Sequence, residues 1–153
     1  MLFKMYLESV KWDGEEAECF LCFSDISDNT KLNIEIPEAI GFDLQTLLHQ
    51  ARRSKTKPYF GVCELISQIG AKVEALKITK QQNAGSGLIQ LRVGQKTFDI
   101  EMFFADVISV SIIENLPIYF DDSIFKKTAA PLDKRLLFTR TGDLTKFSFE
   151  TDL

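Results

Sequence analysis

Phe104-Ala105-Asp106-Val107-Ile108-Ser109-Val110-Ser111-Ile112-Ile113, followed by Leu116-Pro117-Ile118-Tyr119-Phe120-Asp121, is the stretch whose reading decides the fold. Ile108, Val110 and Ile112 alternate with Ser109 and Ser111, the period of a half-buried strand, and β-branched residues favour that reading. The same run also fits a buried helix, with Phe104, Val107, Ile108, Ser111 and Ile112 inward. The preceding residues bear on the choice. Ile100-Glu101-Met102 leads into Ala105-Asp106 much as Ile34-Glu35-Ile36 leads into Glu38-Ala39. If that echo marks a duplicated βββα unit, residues 104–115 are helical.

Outward from this stretch, the earlier half of the chain is more regular. Phe3, Met5 and Leu7 alternate with Lys4, Tyr6 and Glu8; Cys19, Leu21 and Phe23 alternate with Glu18, Phe20 and Cys22; Leu32, Ile34 and Ile36 alternate with Lys31, Asn33 and Glu35. These are three strands of a meander, with Asp13-Gly14 as a turn. Pro37 suits a helix start, and Ile40, Leu44, Leu47, Leu48 and Ala51 then form one apolar stripe. Glu38, Gln45, His49, Arg52 and Arg53 gather on the opposite face. A second helix is expected from Tyr59 to Ile69, capped by Gly70. Strands follow at 72–79, 88–93 and 96–102, and a short strand at 117–120. Beyond it we expect a short helix at 122–127 and a terminal hairpin about Gly142-Asp143.

The chain has 153 residues, 45% apolar and 26% charged, the profile of a one-core globular domain. Met1 to Val10 lacks the uninterrupted apolar segment of a secretory signal, and Asp106, Ser109 and Ser111 interrupt the most apolar run. Neither export nor a membrane span is expected. Three cysteines, an odd number, fit a reducing compartment, and we expect a cytoplasmic protein with free thiols.

Charge is unevenly spread. Residues 1–50 hold 3 Lys or Arg against 10 Asp or Glu, whereas residues 51–100 hold 9 against 3. Arg52, Arg53, Lys55 and Lys57 fall within one short segment, which is either a local site for an anionic ligand or a set of cations at a helix C-terminus. His49 sits beside them without an orienting carboxylate, so phosphate contact suits it better than general-base work. Cys19 and Cys22 have C-x-x-C spacing, but in a strand their sulfurs diverge. Gly85-Ser86-Gly87 opens a strand rather than a helix and lacks the setting of a phosphate loop. Asp121-Asp122 reads as a cap before a short helix or as a pair that holds a hard cation. Asp106 is the unusual acid, because it lies inside an apolar run; it either starts a helix or does chemistry.

The run Ala105 to Ile112, the Leu116-Pro117-Ile118-Tyr119-Phe120-Asp121 segment and the Glu38-Ala39 helix start together resemble the bifunctional nuclease domain family. The resemblance covers residues 3–127, leaving 128–153 as a C-terminal extension. It implies an α+β fold of duplicated βββα type, mostly antiparallel sheets with helices packed on them, and hydrolysis of RNA or DNA phosphodiesters. On that reading Asp106 holds a divalent cation or orients water, Glu38 is a second acid, and Arg52, Arg53, Lys55 and His49 bind a nucleic-acid substrate. The chain departs from the family where function would lie. Phe104-Ala105 stands for the family's Pro-Ser, and Lys55-Thr56 with Pro58-Tyr59-Phe60 replaces its Arg-Pro and Thr-His-Asp stretch. A non-catalytic binding or scaffold protein that retains the fold is therefore the alternative. Exposed edges of the terminal hairpin lead us to expect a homo-oligomer.

Overall fold

The structure, a computed structural model, describes residues 2–13, 18–27, 30–79, 86–121, 138–140 and 146–148. Its elements are β1 (Leu2–Asp13), β2 (Glu18–Ser24), β3 (Thr30–Ile36), α1 (Glu38–Arg53), α2 (Gly61–Gln68), β4 (Lys72–Ile78), β5 (Ser86–Val93), β6 (Lys96–Phe103), α3 (Phe104–Glu114), β7 (Ile118–Asp121), β8 (Phe138–Arg140) and β9 (Lys146–Ser148). The result is a mixed α+β fold, helices packed on one sheet of order β6-β5-β4-β7-β1-β2-β3-β8, with β9 also on β3. The short helix expected at 122–127 and the Gly142-Asp143 turn lie outside the described residues.

The ambiguous run is helical. Every residue of α3 from Val107 to Ile113 is buried, so this helix is apolar all round and packs among α1, α2, β5 and β6. The two serines that create a strand-like alternation are satisfied locally. Ser109 Oγ donates to the Ala105 carbonyl at 2.8 Å, and Ser111 Oγ donates to the Leu116 carbonyl at 2.6 Å. Burial on all sides thus overrides strand propensity. The helix closes at Asn115, φ 52°, with the Leu116 N–H on the Ser111 carbonyl at 3.1 Å, a Schellman-type end.

β1 is longer than its first alternating residues suggest, because a bulge resets its parity. Leu7 pairs with Phe23 and Ser9 with Cys22, leaving Glu8 as the extra residue. Apolar positions accordingly change from Phe3, Met5 and Leu7 to Val10 and Trp12 on the same face. β4 has the same device, an irregularity between Val73 and Ala75, which aligns Val73 with Leu76 and Ile78 toward the core. In both strands the bulged residue is a glutamate. Glu8 accepts from Ser24 Oγ at 2.6 Å, and Glu74 pairs with Arg92.

β7 lies between the two meanders, parallel to β4 and antiparallel to β1. The meanders therefore run in opposite senses, and α1 and α3 start at opposite ends of the sheet. Each helix start is held by a close approach to its own meander. A Cβ at Gly41 would overlap Cys19 Sγ, and one at Gly87 would come within 3.1 Å of Val107 Cγ2. Phe23 and Phe120 meet edge to face at 5.2 Å and join the core across β1. At the far edge β8 runs antiparallel to β3 at residues 30–32 and β9 parallel to it at 33–35. Among the described residues, no helix is long and apolar enough to cross a membrane.

Candidate functional site

The C-terminal ends of α1 and α3 converge, and a cavity of about 380 Å³ opens between them, lined by Tyr6, Leu48, Arg52, Lys55, Ser111 and Leu116 among others. Two helix C-termini bring partial negative charge to one place, which explains why this corner collects cations. Some of those cations are committed. Arg52 donates through Nη2 to the Glu8 carbonyl at 2.7 Å and covers the β1 bulge. Lys57 Nζ reaches Glu114 Oε2 at 2.9 Å, tying the segment after α1 to the end of α3. Ser54 Oγ accepts from the Thr56 N–H at 3.2 Å, which shapes the turn between them.

Beside this cavity lies a shallower depression of about 620 Å³, lined by His49, Gln50, Arg53, Ser54, Thr56, Lys57, Pro58 and Tyr59. Tyr59 is 83% exposed. Among the described residues, no side-chain hydrogen bond or ion pair engages His49, Arg53 or Lys55. The cations thus differ in role: Arg52 and Lys57 hold elements together, while the side chains of Arg53, in the depression, and Lys55, in the cavity, make no such tie.

The two acids are elsewhere. Glu38 is the first residue of α1, near the β2 start, where burial foremost and then its charge push the Cys19 thiol up to about 11. Asp106 is in the first turn of α3, and burial pushes its carboxyl above the ordinary carboxylate value. Opposite meander directions put these helix starts at opposite ends of the sheet. Asp106 also stands nine residues before Asn115, about 13 Å of helix away from the cation-rich corner. The structure therefore gathers His49, Arg52, Arg53 and Lys55 in one region but brings neither Glu38 nor Asp106 to it. Among the described residues, no group of three or more His, Cys, Asp or Glu could hold a metal ion.

Cys19 and Cys22 are both buried, as alternate faces of β2 are both covered. Cys19, Cys22 and Cys63 are free thiols. The sequence reading puts Tyr59 on the core side of the second helix; the helix instead begins at Gly61 and Tyr59 is exposed, and the signal for this is that an aromatic residue directly after a Lys-Thr-Lys-Pro turn has few core contacts. No protein-family model matches this chain, and no curated protein matches it closely enough to name a relative.

Proposed function

We propose that this chain is a non-catalytic nucleic-acid-binding protein on a bifunctional-nuclease-like fold, holding single-stranded RNA or DNA in the depression at the end of α1. The observation that carries this reading is the placement of Arg53 and His49 beside a ring, Tyr59, that is 83% exposed. An aromatic face stacks on any base, and neighbouring cations follow the phosphates, which gives sequence-tolerant single-strand binding. Hydrolysis would require an activated water and charge stabilisation at one point. Glu38 and Asp106 supply neither here, standing at the far ends of their helices. The three free thiols accord with a reducing, cytoplasmic setting.

The test is anisotropy of a labelled oligouridine RNA and its DNA counterpart at low salt, with cleavage followed in the same samples in Mg²⁺, Mn²⁺ or chelator. Binding is expected without metal-dependent cleavage. Tyr59→Ala should weaken it by ~1–3 kcal/mol, at least about fivefold, and Arg53→Gln should flatten the salt dependence by about 0.7 in log–log slope. Affinity indifferent to both substitutions would sink the site. Metal-dependent cleavage abolished in Asp106→Asn would instead favour the nuclease.

We also read the fold as a duplication of a βββα unit, with residues 128–153 as an extension. Several features support that reading, at a spacing of 66 in the first strands and the helices and 68 in β2 and β5. The bulge residues Glu8 and Glu74 are 66 apart, as are the residues preceding the helices, Pro37 (φ −56°, ψ 140°) and Phe103 (φ −56°, ψ 141°). The partners of the two glutamates, Ser24 and Arg92, occupy matching places in β2 and β5. Gly41 of α1 falls at the place of Val107 in α3, and Cys19 at that of Gly87, so the same close contact is made with large and small residues exchanged.

A further inference from the structure

The strand β6 is one edge of the sheet, and its burial is unlike that of any other described strand. Its register with β5 is continuous from Ser86↔Phe103 to Val93↔Lys96, with no bulge, and it contains no proline. It lacks the bulge and the proline that commonly protect an edge. Phe98 and Ile100 pair with Leu91 and Ile89, both core residues, so they stand on the helix-covered side of the sheet. Yet Phe98 is 49% and Ile100 42% exposed, and no helix among the described residues extends over that part of β6. On α2, Leu65 and Ile69 are 63% and 55% exposed. They leave the helix on the flank opposite Cys63, which faces Glu114 and the cation-rich corner.

β8 and β9 sit on β3, at the other edge of the sheet, seven strand spacings or about 34 Å from β6.

We infer that β6 pairs antiparallel with β6 of a second copy of this chain about a twofold axis through Phe98, making one continuous sheet and covering the exposed apolar face of each copy. The axis follows from charge. On the opposite side of the sheet β6 carries Asp99 and Glu101. An axis at residue 99 sets Asp99 against Asp99, and one at residue 100 sets Asp99 against Glu101, both repulsive. With the axis at Phe98, Asp99 faces Thr97 and Glu101 faces Gln95, while Phe98 meets Phe98 and Lys96 lies beside Ile100. Moving the axis to residue 97 leaves only the short run 96–98 paired within the strands. The Phe98 axis is thus the longest register without facing carboxylates. It also brings the α3 start of one copy, just after Met102, against the β5–β6 turn of the other.

The test uses the full chain, with mass measured by light scattering during size-exclusion chromatography and fold checked by circular dichroism. Twice the mass of one chain is expected, falling to the single-chain mass in Phe98→Lys, which sets two cations face to face. On mild oxidation Phe98→Cys should cross-link between copies, whereas Ile100→Cys should not, since its counterpart is four residues away along the paired strand. A monomeric native chain at tens of micromolar, or a Phe98→Lys variant that remains dimeric and folded, overturns the interface. Cross-linking of Ile100→Cys but not Phe98→Cys overturns the register.

Discussion

Ser111 shows how much one buried hydroxyl can organise. Its backbone carbonyl accepts the Leu116 N–H at 3.1 Å and its side chain donates to the Leu116 carbonyl at 2.6 Å, so both backbone groups of Leu116 are held by one residue of the preceding helix. The chain can then leave α3 and enter β7 at Ile118 without leaving a backbone acceptor uncompensated. Ser111→Ala removes the donor to that carbonyl, and we expect a loss of about 1–2 kcal/mol, read as a lower urea midpoint. Cys63 offers a second check. Burial, followed by the charge of Glu114, pushes its thiol up to about 11, so its thiolate fraction at pH 8 is roughly a hundredfold below that of an ordinary thiol. Iodoacetamide should label Cys63 in the native protein slowly at pH 8 and about tenfold faster for each pH unit above it. Rapid labelling at pH 8 would mean that α2 opens readily. None of these local partnerships could be read from sequence, because they depend on groups five or more residues away. What was legible was the class of the residue: a serine in an apolar run must find a partner.

At the scale of elements, most of the fold was readable from periodicity. Alternation located β2 and β3, and the apolar stripe from Ile40 to Ala51 located α1. The β1 bulge was missed, though parity carries its signature: apolar residues at odd positions through Leu7 and at even positions from Val10 onward. α3 was undecidable from pattern alone, since a helix buried on every side has no polar face to reveal its period. The repeated approach of helix to strand gives a direct experiment. Gly41→Val alone should overpack against Cys19 and cost ~1–3 kcal/mol. Combined with Cys19→Gly, the arrangement of Val107 against Gly87 is copied into the first meander, and the pair should be less destabilising than the sum of the single changes by at least about 1 kcal/mol. Additive losses in a double-mutant cycle would show that the two contacts are not equivalent.

Across the whole molecule, the candidate site was legible in part. A run of cations after a helical pattern pointed to the end of α1, and His49 and Arg53 line a depression there. The division of labour among those cations was not legible, because it depends on a bulge forty-four residues earlier, where Arg52 is engaged by Glu8. Nor could sequence place Asp106 relative to Arg53, since that relation follows from the opposed directions of the two meanders. The position of β7 has a consequence for synthesis as well. The first meander joins the second within the sheet through β7 alone, which is paired with β1 on one side and β4 on the other. A chain emerging from the ribosome can assemble either meander early, but the seam between them stays open until residues 118–121 are free. Nascent chains stopped short of Ile118 should therefore hold two protease-sensitive halves, and lengthening them by a few residues past Asp121 should convert both to a resistant form in a single step.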